Sequence, residues 1–313
     1  MIRIAVIGIG HQGRNHVRVL QKVEGLQLSL LIDRDLEKVR TAGEELKVEA
    51  AASYRDRLRD FDAAVIAVPT SDHASIAKDL MTAGKHVLIE KPVAASIEQA
   101  EEMQDVASES GVVAHVGFPE RYNPVLQKAL PEITRPLFVE GHRLGVFSPR
   151  SLDVDVVLDL MIHDLDLLYL LLKEEPLQIE AVGIPVLSAN IDIANARLKF
   201  RGGCVVNLTA SRVSAQRMRK MRLFQPYSYL SLDFAEQSYT LFTVRPNLCN
   251  AGFPEIHRSE FQMDPPQPPL EGEWIAFKNA IMNGGAAGIS IAESISSLKM
   301  ALAIKQGFSQ PEM

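Results

Sequence analysis

The first third of the chain alternates two textures. Short runs of Val, Ile and Ala are followed by longer stretches with helical spacing. The pattern predicts strands at Ile2–Ile7, Leu26–Ile32, Ala63–Val68, His86–Ile89 and Val112–Val116. It predicts helices at Gly13–Val23, Leu36–Leu46, Ala74–Ala83 and Ser96–Ser110. Strands that are apolar throughout, alternating with helices, imply a parallel sheet covered on both faces. The texture changes after Arg121. One helix, Leu158–Leu172, precedes strand-like segments at Ile179–Leu187, Ile193–Phe200, Cys204–Ser211, Met218–Phe224 and Tyr229–Phe234. Gly202-Gly203 reads as a hairpin turn between two of them. Consecutive strands imply an antiparallel or mixed sheet. Asp264–Pro269 is an extended, proline-rich connector, followed by helices at Glu271–Met282 and Ser290–Gln306.

A length of 313 residues suggests about two domains, at roughly 150 residues each. The expected division is 1–120 and 121–313. With 47 % hydrophobic residues and a net charge of −6, the chain has material for a large core and no cationic excess for nucleic acid. Its two cysteines, Cys204 and Cys249, form neither a disulfide framework nor a zinc-ligand spacing. Met1–Ile7 is apolar too briefly for a signal peptide, and no apolar run approaches the ~18 residues of a spanning helix. The expected compartment is the reducing cytoplasm, with no membrane partner.

Gly8-Ile9-Gly10-His11-Gln12-Gly13 matches G-x-G-x-x-G directly after a strand and before a helix. Gly8 permits the tight turn, Gly10 lets backbone approach a pyrophosphate, and Gly13 allows close helix–strand packing. The pyrophosphate would rest on the helix N-terminus. An acid, Asp33, ends the second strand at the ribose-binding distance. Its carboxylate would repel a 2′-phosphate, which favours NAD over NADP. Arg34 complicates this, because it could stack on adenine or accept that phosphate. Pro69, Thr70 and His73 follow a later strand end, where cofactor contacts are expected. His16 reads as a packing or hydrogen-bonding residue of the first helix.

Val87-Leu88-Ile89-Glu90-Lys91-Pro92, together with the fingerprint, resembles the glucose–fructose oxidoreductase / inositol dehydrogenase (Gfo/Idh/MocA) family. So do Val68–His73, Ala83–Val87, Val116-Gly117-Phe118 leading into Arg121-Tyr122-Asn123-Pro124, and Asp159–Asp164 with its D-x-x-x-H spacing. The resemblance covers essentially the whole chain. It implies an N-terminal Rossmann domain, a C-terminal α/β domain with an open sheet, and homodimers or homotetramers through that sheet. It also implies that Glu90 and Lys91 border the nicotinamide, with a Lys91–Pro92 bond that is often cis in relatives. Many relatives carry a Gly-Gly pair where this chain has Val154 and Asp155.

Oxidising a secondary alcohol needs a hydride acceptor, a base for the hydroxyl proton and a positive group for the developing alkoxide. Asp159 and His163 are four apart, so on a helix they share a face. The carboxylate can orient the imidazole, which makes His163 the candidate general base, while Lys91 can stabilise the alkoxide. These three positions match the catalytic ones of sugar- and polyol-oxidising relatives. A metal set of Asp159, His163 and Asp166 is conceivable from ligand type. The resemblance argues against it, since the family performs hydride chemistry without a metal.

Glu120-Arg121-Tyr122-Asn123-Pro124 resembles a variant seen among members acting on nucleotide sugars. Arg143 through Phe147-Ser148-Pro149-Arg150 and Thr209-Ala210-Ser211-Arg212 resemble the branch of UDP-N-acetylglucosamine 3-dehydrogenases. Arg121, Tyr122, Asn123, Arg143, Arg150 and Arg212 are therefore candidate substrate-binding residues, the arginines as cations for a diphosphate. The expected reaction is NAD-dependent oxidation of a sugar hydroxyl to a ketone, at C3 of a UDP-N-acetylhexosamine. Alternatives are a free polyol or aldose dehydrogenase, a non-catalytic NAD-binding regulator, and a reductase of a non-sugar ligand such as a tetrapyrrole.

Overall fold

The computed structural model describes residues 1–147, 154–245, 255–285 and 288–308. The chain opens with β1 (Ile2–Ile7), α1 (His11–Leu20), β2 (Leu26–Ile32), α2 (Leu36–Leu46), β3 (Glu49–Ala51), β4 (Ala63–Ile66), α3 (Thr70–Thr82), β5 (His86–Glu90), α4 (Ile97–Ser110) and β6 (Ala114–Gly117). It continues through α5 (Pro124–Ala129), β7 (Phe138–Leu144), α6 (Ile162–Leu172), β8 (Gln178–Ile184), β9 (Ile193–Lys199) and β10 (Val205–Ser211). Then come β11 (Met218–Gln225), β12 (Ser228–Asp233), β13 (Ser238–Arg245), β14 (Glu255–Gln262), α7 (Pro269–Asn283) and α8 (Ile291–Gln306).

Two compact units result. One holds Met1–Pro119 with Pro268–Ile295; the other holds Glu120–Gln267 with the chain from Ser296. The first unit contains a six-stranded sheet of order β3-β2-β1-β4-β5-β6, parallel throughout. The order reverses beside β1, and in such sheets ligands bind at the carboxyl ends of the strands at that point. Its apolar core joins Ile4, Val6, Leu31, Val65 and Leu88 to Trp274 and Phe277 of α7. The sequence division assigned both C-terminal helices to residues 121–313; α7 instead packs with the first unit. Its apolar face completes the cover of the parallel sheet, a long-range contact that chain order does not reveal.

The second unit carries an eight-stranded sheet of order β14-β13-β12-β11-β7-β10-β9-β8. All neighbours are antiparallel except β7 and β10. β7 sits centrally, yet the hydrophobic pattern does not predict it. Glu140, His142 and Arg143 interrupt its apolar texture, and its buried positions alternate with half-exposed ones. β14 is equally illegible, because this edge strand is almost wholly exposed and polar. The helix predicted at Leu158–Leu172 begins as a π-helical turn over Val157–Met161 before α6 continues it. π turns occur mostly as single turns in longer helices, frequently at functional sites.

Among the described residues, no helix is long and apolar enough to cross a membrane.

Candidate functional site

The dinucleotide turn is built as its three glycines predict. Gly8 has a φ of +94°, and a Cβ there would lie 2.4 Å from the Ala67 carbonyl oxygen. A Cβ on Gly13 would lie 1.8 Å from the Gly8 oxygen, so only glycine lets α1 pack onto the turn. Around Gly10 nothing lies within 4 Å of an added Cβ. The protein does not fill that space, which stands open at the start of α1. Gly13→Ala is expected to abolish dinucleotide binding, as read by calorimetric titration with NAD; undiminished binding would contradict this geometry.

Beside the turn lies a cleft of about 550 Å³ lined by Gly8, Gly10, Asp33, Arg34, Lys38 and Tyr54, among others. Asp33 Oδ2 accepts hydrogen bonds from the Ile9 amide (2.7 Å) and Lys38 Nζ (2.9 Å), and Oδ1 accepts from the Asp35 amide (3.1 Å). Burial works to raise the Asp33 pKa, but these donors outweigh it and hold the carboxyl below its ordinary value. Arg34 pairs with the carboxylate of Asp72, which lines the same cleft. His11 and Gln12 occupy the exposed first turn of α1.

Pro69 caps α3 and Thr70 begins it. His73 is buried, its Nδ1 2.9 Å from the Pro92 carbonyl oxygen and its Nε2 2.9 Å from that of Val68. It therefore links the loop after β4 to the loop after β5. Burial lowers its pKa, against the two carbonyls, which favour the protonated ring. The Lys91–Pro92 bond is cis. Glu90, buried just before it, is 2.7 Å from His16 Nε2, and His16 Nδ1 accepts from Trp274 Nε1 at 3.1 Å. Sequence reasoning marked His16 as a hydrogen-bonding residue but had no signal for Trp274, which lies 258 residues away along the chain.

In the second unit, Asp159 lies in the π turn and His163 at the start of α6. Both are partly exposed, whereas Met161, Ile162, Asp164 and Leu165 beside them are buried. Asp155 fixes the approach. Its Oδ1 accepts from the amides of Val157 (2.9 Å) and Leu158 (3.1 Å), and its Oδ2 pairs with Lys305 (2.7 Å). Its charge is thus absorbed by the helix start and a lysine of α8.

The arginines read as diphosphate ligands have structural work of their own. Arg121 forms a bidentate pair with Asp166 through Nε and Nη2, both at 2.7 Å. Arg143 grips Asp164 through Nε (3.0 Å) and Nη2 (2.8 Å), and Glu120 through Nη1 (2.9 Å). Both guanidinium groups are buried. They clamp the hidden side of α6, the helix that presents His163. Arg212 is also buried, bonded to the Val154 carbonyl and beside Asp192. Asn123 caps α5 and donates to Glu120 (3.1 Å) and the Phe234 carbonyl (3.1 Å). Tyr122 lies in the 3-10 turn before it. Arg150 falls outside the described residues. The residue type was legible and its partners were not, because a fork that fits a phosphate fits a carboxylate equally well.

Several carboxyls in these networks are held ionised. Burial pushes Glu120 up, but the charges of Arg143 and Arg219 and hydrogen bonds from Arg143 and Asn123 bring it below the ordinary 4.5. Burial also opposes ionisation of Asp192, yet the Ser188 hydroxyl and the amides of Val186, Leu187 and Ser188 hold it below the ordinary 3.8. Groups with depressed folded pKa values contribute stability above their unfolded values and lose it as pH falls. The thermal midpoint is therefore expected to fall once pH drops below 4.5. A midpoint that rises on acidification would contradict the assignment.

Two family models account for most of this architecture. One, described as an oxidoreductase family with an NAD-binding Rossmann fold, matches residues 2–118. The other, the Gfo/Idh/MocA C-terminal domain, matches residues 140–225. UDP-N-acetylglucosamine 3-dehydrogenase of Acidithiobacillus ferrooxidans is 38% identical over 242 residues, covering 77% of this chain and 77% of that one.

The chain belongs to the Gfo/Idh/MocA oxidoreductase family.

A solved structure of the enzyme of that name from A. ferrooxidans superposes with a TM-score of 0.90 at 33% identity, covering 98% of this chain and 97% of the other. The NAD(+)-dependent scyllo-inositol 2-dehydrogenase of Bacillus subtilis is 27% identical over 68% of each chain. As a Gfo/Idh/MocA member this chain is an oxidoreductase with an NAD-binding Rossmann fold. Its residues fit that cofactor: the open space at Gly10 admits the pyrophosphate at the start of α1, and Asp33 faces the adjoining cleft with its charge intact.

Proposed function

We propose that this protein oxidises a secondary hydroxyl of a nucleotide sugar to a ketone, at C3 of a UDP-N-acetylhexosamine. The likeness to the A. ferrooxidans enzyme, at 38% identity over 77% of each chain, carries this reading. When bound, NAD supplies the hydride acceptor. Asp33 holds the adenosine ribose, and the amides around Gly10 hold the pyrophosphate. Glu90, Pro69, Thr70 and His73 shape the nicotinamide end. Lys91 donates a hydrogen bond to the reacting oxygen and stabilises its growing charge. His163 takes the hydroxyl proton, and Asp159 orients its ring. Tyr122 contacts the sugar nucleotide. Arg121, Arg143, Asn123 and Arg212 shape that site through the clamps described above.

A free polyol is the second reading, favoured by the match to scyllo-inositol 2-dehydrogenase. The two are separated by NADH absorbance with UDP-N-acetylglucosamine, UDP-N-acetylgalactosamine, UDP-glucose, myo-inositol and glucose. Turnover confined to a UDP-sugar supports the first; turnover confined to polyols replaces it.

The reading extends to a cytoplasmic homo-oligomer built on the open face of the eight-stranded sheet. Phe138, Phe224, Tyr229 and Phe242 form a ladder across four strands, with ring centroids 5.5, 4.9 and 6.0 Å apart. The alternate positions Val139, Leu223, Leu230 and Leu241 are buried in the unit's core. Such a half-covered aromatic face suits a second copy of the chain. Sedimentation showing only monomer would remove this part of the reading.

A further inference from the structure

Three buried side chains from distant parts of the first unit meet behind Lys91. Trp274 of α7 is fully buried, His16 of α1 is 1% exposed, and Glu90 at the end of β5 is 9% exposed. The indole N–H of Trp274 points at His16 Nδ1 (3.1 Å), and His16 Nε2 lies 2.7 Å from Glu90 Oε1. The two rings meet edge to face, with centroids 5.6 Å apart.

The donor inventory fixes the protons. An indole nitrogen only donates. His16 Nδ1 must therefore offer a lone pair, and the ring's one proton sits on Nε2. That proton is donated to Glu90, which accepts as a carboxylate. A second proton on His16 would set two N–H groups against each other, so Trp274 opposes the imidazolium.

We propose that Trp274 is a positioning residue for the reaction: its N–H sets His16 in the Nε2–H tautomer, so that His16 donates to Glu90 and orients that carboxylate next to Lys91. The inference rests on the catalytic reading of Lys91 given above. The charged and titratable groups facing Glu90 are His16 from α1, His73 from α3 and Lys91 next in the chain. Burial alone would raise the Glu90 pKa; the His16 hydrogen bond and the charge of Lys91 help bring it below its ordinary value. With the His16 proton on Nδ1 instead, Nε2 would set a lone pair against the Glu90 carboxylate, which would turn from its place next to Lys91.

The test combines nitrogen-15 NMR of the His16 ring with kcat and KM for NAD, for the parent, Trp274→Phe and His16→Gln. Phe keeps an aromatic ring in the core and removes the donor together with part of the indole's volume. The Gln amide can accept from Trp274 and donate to Glu90, so it keeps both hydrogen bonds. In the parent, the neutral His16 ring should carry its proton on Nε2. Trp274→Phe should move proton population from Nε2 to Nδ1 and lower kcat about tenfold, with KM for NAD unchanged. His16→Gln should retain most of kcat. A parent ring protonated on Nδ1, or a Trp274→Phe kcat equal to the parent's, overturns the proposal. The NMR arm needs no substrate, so an error in the substrate class leaves its outcome decisive.

Discussion

Lys91→Met is expected to lower kcat roughly 100- to 1,000-fold, the usual loss when one donor to a developing oxyanion is removed. NAD affinity should hardly change. Methionine keeps the apolar stem of lysine and deletes only its charged end. The adenosine and pyrophosphate contacts lie elsewhere, at Asp33 and the Gly8–Gly13 turn, and they remain intact. Glu90 loses one of the charges that lower its pKa, so this carboxyl should become harder to ionise in the variant. Stopped-flow hydride transfer together with calorimetric NAD binding checks both halves. A loss of NAD affinity as large as the loss of kcat would show that Lys91 is a cofactor anchor and not an alkoxide stabiliser.

The largest effect on stability is expected from Arg143→Met. Arg143 holds two buried carboxylates, Asp164 and Glu120, through three hydrogen bonds between 2.8 and 3.0 Å. Burial acts to lower its own pKa, but these two partners raise it well above the ordinary value. Removing one member of a buried ion pair costs about 3–5 kcal/mol, because the charge left behind has no partner and no water. Here two carboxylates are left at once. Arg219, 3.6 Å from Glu120 and about half exposed, can swing toward Glu120 but does not reach the bidentate position on Asp164. Against a typical total of about 5–15 kcal/mol, the second unit should unfold at much lower urea. Arg143→Lys should fall between, because a single ammonium cannot serve both carboxylates as a fork does. Urea titration of the full chain measures it. A change below about 1 kcal/mol, the worth of an exposed pair, would mean that the clamp on α6 is solvated in solution.

The parts of the molecule legible in the sequence are those encoded locally. The Gly8–Gly13 spacing, Asp33 at the end of β2, and the apolar runs of β1, β2, β4 and β5 are all set by neighbours in the chain. Their structure follows from turn sterics and period alone. The Asp159–His163 spacing was equally plain, although the π turn beneath it was not. Asp155, Val157 and Leu158 set that turn through hydrogen bonds that leave no periodic trace.

What was not legible depends on distant partners. The α7 helix reads as part of the second domain until Trp274 is seen in the core of the first unit. Arg121 and Arg143 read as anion ligands until Asp166 and Asp164 are seen across from them. Both carboxylates lie on a helix whose apolar sequence advertises burial, and a buried carboxylate calls for a guanidinium partner. That signal was present in Ile162–Leu172, where two aspartates interrupt an otherwise hydrophobic face. β7 went unseen for a related reason: Arg143 is buried as a clamp, at a position where an inward-facing strand residue is expected to be apolar.

The central claim is hydride transfer from C3 of a UDP-N-acetylhexosamine to NAD. It is tested most directly with UDP-N-acetylglucosamine carrying deuterium at C3, by mass spectrometry of the reduced dinucleotide. The account predicts that deuterium arrives in the NADH formed, at a rate that collapses in Lys91→Met. NADH formed from this substrate without deuterium would place the oxidation at another carbon. No NADH at all, alongside turnover of a free polyol, would contradict the nucleotide-sugar assignment outright.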